Sequence, residues 1–175
     1  MIAISLLKKK RKTEITLFGA SKSKSLLMSI VPIIILTIIG VENDFDLDAD
    51  LYGFIGVIGT FLYCIMAEYD WRVYLQEEFK TLKPWEKYLL IGFIWCLWHL
   101  TFLTKASVGD NIFFFAMMVF ESWDISRVAE STKSILASAC FHLIIQIMMF
   151  NSLIRNGIDG TEKLIIILVS VAIEQ

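Results

Sequence analysis

The chain is poor in histidine, proline and cysteine, with two, two and three in 175 residues. The cysteines, Cys64, Cys96 and Cys140, show no CxxC spacing, so neither a disulfide framework nor a zinc ribbon is supported. Each lies in an apolar run and reads as a small packing residue. There is no HExxH, so a zincin-type protease is not indicated. No internal repeat and no Pro/Gly/Ser-rich linker divides the chain. Charged residues make up 19%, and no basic stripe runs through a foldable segment, which argues against a nucleic-acid partner. Period-two alternation is lacking as well, leaving helices as the expected secondary structure.

What the chain does have is long apolar runs. Hydrophobic residues reach 57% and the mean hydropathy is +0.67, above the range of ordinary globular chains. A helix crossing a bilayer needs about 20 apolar residues. Candidate spans run from Ser25 to Val41, Leu51 to Tyr69, Tyr88 to Thr104 and Ser134 to Leu153. Asn111 to Trp123 is short for a full crossing, and Leu164 to Ile173 is about half a span. The expected fold is all-α: a polytopic transmembrane helical bundle around a polar intramembrane cavity open to the cytoplasm. Residues 1–24 read as a basic juxtamembrane segment and 25–175 as the transmembrane domain. Pro32 falls inside the first span, and Pro84 is placed to start a helix, where proline is tolerated.

The N-terminal charge cluster, Lys8 to Lys12, follows its short apolar stretch, the reverse of a secretory signal. It reads as a polybasic patch on anionic lipid. With the N-terminus in the cytoplasm, thirteen basic residues, including Arg72, Lys80, Lys83, Lys87, Arg127 and Lys133, fall inside. Only Lys105, Arg155 and Lys163 fall outside. That asymmetry follows the positive-inside rule. The expected location is a membrane, multi-pass, of the bacterial cell-membrane kind.

Ionisable residues inside spans cost a few kcal/mol and mark function by default. Three stretches hold them. Glu68 and Arg72 are four apart at the end of the second span and share a helical face. His99 sits in the third span, four residues after Trp95. His142 and Gln146 are four apart in the fifth. Such groups face a bundle interior, so a pocket built from spans two, three and five is expected. Taken singly, each has a plainer reading: an interfacial ion pair, a histidine on a backbone carbonyl, or interhelical hydrogen bonding.

The same stretches, AEYDWRVYLQEEF, FIWCLWHL and SILASACFHLIIQ, resemble the three motifs of the CAAX-protease and bacteriocin-processing (CPBP) family of intramembrane endopeptidases. The family pattern is EExxxR, then an aromatic residue four before a histidine, then a histidine four before an asparagine. The resemblance covers about residues 51–153. It implies hydrolysis of a peptide bond by an activated water. His99 would position the water, His142 and Gln146 would donate to the oxyanion, and Glu68 with Arg72 would form the supporting pair. It also implies a membrane-embedded or lipidated peptide or protein substrate within the lipid bilayer. No cofactor is expected. The metalloprotease alternative would place zinc on His99 and His142.

The sequence departs from the pattern at three places. Trp95 replaces a frequent phenylalanine, and Gln146 replaces asparagine. Ala67 stands where the first glutamate, the general base, belongs, and alanine cannot take a proton. On a regular helix Glu68 points about 100° away from position 67. The reading is therefore an endopeptidase disabled at Ala67. The alternative is a non-catalytic pseudoprotease that binds a peptide or partner in the same cavity, bacteriocin immunity included. A small transporter or channel subunit comes third.

Overall fold

The computed structural model describes residues 13–99 and 107–174. The basic run Lys8–Lys12 and the end of the third expected span, at Thr104, lie outside the described residues. Within them the chain is all-α, with seven helices. α1 is Lys22–Ile39 and α2 begins at Ala49–Glu68. α2 runs on through a wide π-helical segment, Tyr69–Leu75, into a last turn, Gln76–Glu78. α3 is Pro84–Trp98 and α4 is Val108–Thr132. α5 is Ile135–Ile145, extended by a second π-helical segment, Gln146–Phe150. α6 is Ser152–Arg155 and α7 is Gly160–Glu174.

Local chemistry sets these ends. Ser21 caps α1 by accepting from Lys24 N, and Asp48 caps α2 by accepting from Asp50 N and Leu51 N. Pro84 opens α3, and the Glu86 carboxylate accepts from Lys83 N at 3.0 Å. Ser107 and Asp110 exchange capping bonds at the start of α4. α4 is the clearest difference from the apolar pattern, which predicts only Asn111–Trp123. It continues to Thr132 because Glu121, Ser122 and Ser126 turn inward and are buried rather than ending the helix.

α1 and the rod from Ala49 to Glu78 are long and apolar enough to cross a membrane. Their outer faces are apolar, with Leu26, Leu27, Ile30, Ile34 and Ile38 exposed on α1 alone. α5 is the central element. Eight of its side chains from Ile135 to Leu143 are buried, against α1, α2 and α4. α3 packs on α4, and α7 lies against α1 with Ile166 fully buried. Two apolar clusters result. The larger joins Leu36, Val57, Cys64, Leu143 and Ile154, and the smaller holds Trp95, Cys96, Met118 and Ile125.

Two backbone needs are met across the fold. Pro32 has no N–H, so the carbonyl four residues earlier, Met28 O, loses its helical donor. The Cys140 thiol donates to that oxygen at 2.8 Å. Cys140 thus does more than the small-packing role expected of it. At the start of α5, the N–H groups of Ile135 and Leu136 have no helical acceptor. They donate to Thr16 O and Leu17 O of the N-terminal segment, at 2.9 and 3.1 Å. Lys133 pairs with Glu14 at 2.9 Å in the same place and holds that carboxyl below its usual range.

Helices approach closely at glycines. A Cβ at Gly92 of α3 would lie 2.6 Å from Val119 Cα of α4, whereas one at Gly59 of α2 would meet nothing within 4 Å. Gly92→Ala is therefore expected to cost about 1–3 kcal/mol by forcing α3 from α4. Gly59→Ala should be neutral or stabilising by up to about 1 kcal/mol through helix propensity. Thermal unfolding of both variants in detergent checks the pair, and equal melting points would refute the close α3–α4 contact.

Candidate active site

The end of α2 supplies Glu68 and Arg72. Both side chains are fully buried. Arg72 Nε donates to Glu68 Oε2 at 2.7 Å. Its Nη1 donates to Ser126 Oγ at 2.5 Å and to Ser122 O at 3.4 Å, both on α4. The π-helical segment begins one residue after Glu68, with Gln76 N donating back five residues to Trp71 O. That wider turn keeps Arg72, Val73 and Gln76 all on the inner side.

α5 supplies His142, also fully buried, with Nδ1 2.9 Å from the second Glu68 oxygen. A carboxylate only accepts, so Nδ1 carries the proton. In the neutral ring Nε2 is then the acceptor, and the Gln146 amide nitrogen, 3.2 Å away, donates to it. Ser126, Arg72, Glu68, His142 and Gln146 thus form one continuous hydrogen-bonded chain across α4, α2 and α5.

α3 brings His99 to the other side of Trp95. The Trp95 ring is edge-on to His142 at 5.0 Å, tilted over His99 at 6.2 Å, and 5.9 Å from Trp71. His99 follows the last helical residue of α3. Its Nδ1 lies 3.0 Å from Trp95 O, which again only accepts, so Nε2 holds the lone pair of the neutral ring. Phe114 and Phe150 pack round it at 6.4 and 5.7 Å. The side chains singled out on the second, third and fifth expected spans lie on α2, α3 and α5, with Trp95 between the two histidines. Glu68, His142 and Gln146 touch, while His99 stands apart across an indole.

Ala67 is half-buried and Glu68 wholly so. Consecutive helical residues face different ways, and it is Glu68 that turns toward Arg72 and His142. As for zinc, His142 has both ring nitrogens engaged by Glu68 and Gln146, and His99 has Nδ1 on a carbonyl. Among the described residues no three His, Cys, Asp or Glu side chains form a metal-ligand set.

Sequence reading missed the contribution of α4. Ser122 and Ser126 are four apart, the same spacing as the other pairs, but serine in a span is too common to stand out. Glu121 is buried, and neither of its carboxyl oxygens meets a hydrogen-bond partner among the described residues. It falls inside the apolar run Asn111–Trp123, and an acidic residue within a candidate span is the signal that could have found it. Removing one partner of a buried pair strands the other charge. Arg72→Met should therefore destabilise by about 3–5 kcal/mol, and the double variant Glu68→Gln/Arg72→Met by less. Denaturant titration in detergent tests this, and a double variant worse than the single would contradict it.

Residues 50–148 match the family described as type II CAAX prenyl endopeptidase Rce1-like, over more than half of the chain and across Glu68, Arg72, His99, His142 and Gln146. No curated protein and no solved structure matches the chain. By its sequence match this chain belongs to the Rce1-like type II CAAX prenyl endopeptidases of the CPBP family, a family of hydrolases.

Proposed function

We propose that this chain carries the peptide-hydrolysing centre of a multi-span intramembrane endopeptidase, disabled at the general-base position by Ala67. The observation that supports it most is the buried chain Arg72–Glu68–His142–Gln146, with His99 across Trp95. Peptide hydrolysis needs a base for water and fixed donors for the oxyanion in a dry site. Gln146 supplies a donor: its amide carries a second N–H besides the one that meets His142 Nε2, whereas His142 would donate to an oxyanion only as the imidazolium. The Gln146 amide and the His142 ring lie together, and Glu68 fixes the tautomer and orientation of the ring. His99, with Nε2 as the lone-pair nitrogen, is suited to orient a water. Glu68 is already bonded through both oxygens, so it serves as support rather than as the missing base.

The substrate is a membrane-embedded or lipidated peptide or protein, reached from the basic, cytoplasmic end of the bundle. A second reading follows from Ala67 itself. With no general base at position 67, the chain as written would hold a peptide without cleaving it, as a pseudoprotease or an immunity protein does.

The two readings separate on a panel of prenylated-tail and leader peptides in liposomes. Ala67→Glu should gain cleavage by at least about 100-fold, the usual worth of a general base. Adding His99→Ala should remove that gain. If no folded variant cleaves any peptide, the binding reading replaces the hydrolytic one. If the chain as written cleaves, Ala67 does not disable it.

Gln146 gives an independent check. In the Ala67→Glu background, Gln146→Ala should lower kcat by about 100- to 1,000-fold, the effect of losing one oxyanion donor. Gln146→Asn should retain most of the activity, because the amide is kept. Equal rates for the two variants would show that the amide does not reach the intermediate.

A further inference from the structure

We infer that water reaches this centre from the basic end of the bundle, past Gln76 and Arg72, through a passage that Glu130 clasps. The use of that water in hydrolysis rests on the reading above; the passage itself does not.

Around Arg72, buried polar atoms find no hydrogen-bond partner among the described residues: Arg72 Nη2, Gln76 Oε1 and Ser122 Oγ. Arg72 and Gln76 are four apart on the inner side of α2, and Ser122 offers its carbonyl to the same guanidinium. A buried polar group left unpaired is costly, so these three call for an occupant. The atom types define it. Arg72 Nη2 only donates and Gln76 Oε1 only accepts. A carboxylate or phosphate would suit the arginine and be repelled by the amide oxygen. An ammonium group would suit the amide oxygen and be repelled by the guanidinium. Water accepts from one and donates to the other, and the serine hydroxyl can do either. A buried water needs two to four such partners.

A supply lies beside them. Arg72 and Gln76 form part of the wall of a cavity of about 350 Å³, whose other walls include Lys80, Lys87, Glu130 and Lys133. One carboxylate straddles this cavity. Glu130 of α4 accepts from Gln76 Nε2 at 2.8 Å, from Lys87 Nζ at 2.6 Å and from Tyr88 Oη at 3.2 Å. It ties α2, α3 and α4 together at the outer end of the route. From the cavity inward the polar groups run Gln76, Arg72, Glu68, His142.

The test is thiol reactivity, which needs a water-borne thiolate. Ser122→Cys would be treated with a small water-soluble methanethiosulfonate in liposomes, with Cys140, bonded in the apolar core, as the internal control. Ser122→Cys should react about tenfold or more faster than Cys140, and faster again with Glu130→Gln added. Ser126→Cys, one turn further along α4, supplies the same measurement if Ser122→Cys does not fold. A thiol at these positions as inert as Cys140, with Glu130 intact or replaced, would overturn the passage. No cleavage is read in this assay. A reactive thiol in a chain whose Ala67→Glu form cleaves nothing would leave the passage standing and remove the endopeptidase reading. An inert thiol in a chain whose Ala67→Glu form cleaves would do the reverse.

Discussion

The buried pair of Glu68 and Arg72 organises the fold. Taking both charges out of water costs several kcal/mol per ion, and their mutual attraction offsets this only with near-ideal geometry and further hydrogen bonds. The protein supplies those bonds from two other helices, Ser122 and Ser126 on α4 and His142 on α5. The pair therefore sets where α4 and α5 can lie. An apolar replacement would pack as well but would not select one arrangement of three helices whose contacts are otherwise non-directional.

Both helices that carry the chain of bonds change their winding there. α2 widens from Tyr69 and α5 from Gln146, and each wide segment carries a five-residue backbone bond, Gln76 N to Trp71 O and Asn151 N to Gln146 O. Such segments recur at functional sites because one added residue redirects the side chains that follow. In α2 this keeps Arg72 and Gln76 turned inward. In α5 it leads to Asn151, whose amide donates to Thr60 of α2 at 2.8 Å and closes the far side.

Ala67 lies beside this hydrogen-bonded frame. Glu68, Arg72 and His142 are bonded to one another, and Ala67 is the half-buried residue next to Glu68. The chain's membership of a hydrolase family and an alanine at position 67 are compatible, because the Glu68–Arg72–His142 bonds do not use residue 67.

Much of this could be read from the amino acids. The four-residue spacings of Glu68/Arg72, Trp95/His99 and His142/Gln146 hold in any helix, so the sequence by itself placed each pair on one face. The cost of charge in apolar surroundings said those faces turn inward, and their order identified the family. What only the tertiary structure decided was who meets whom. Sequence spacing carries no information about approach between helices. It could not show that Glu68 bridges Arg72 to His142 while His99 stands beyond Trp95, or that Ser122, Ser126, Gln76 and Glu130 join them. Nor could it show that Cys140 serves the carbonyl freed by Pro32, since that bond spans 112 residues of chain. Periodicity is a property of one helix, whereas hydrogen-bond partners are chosen by the packing of several.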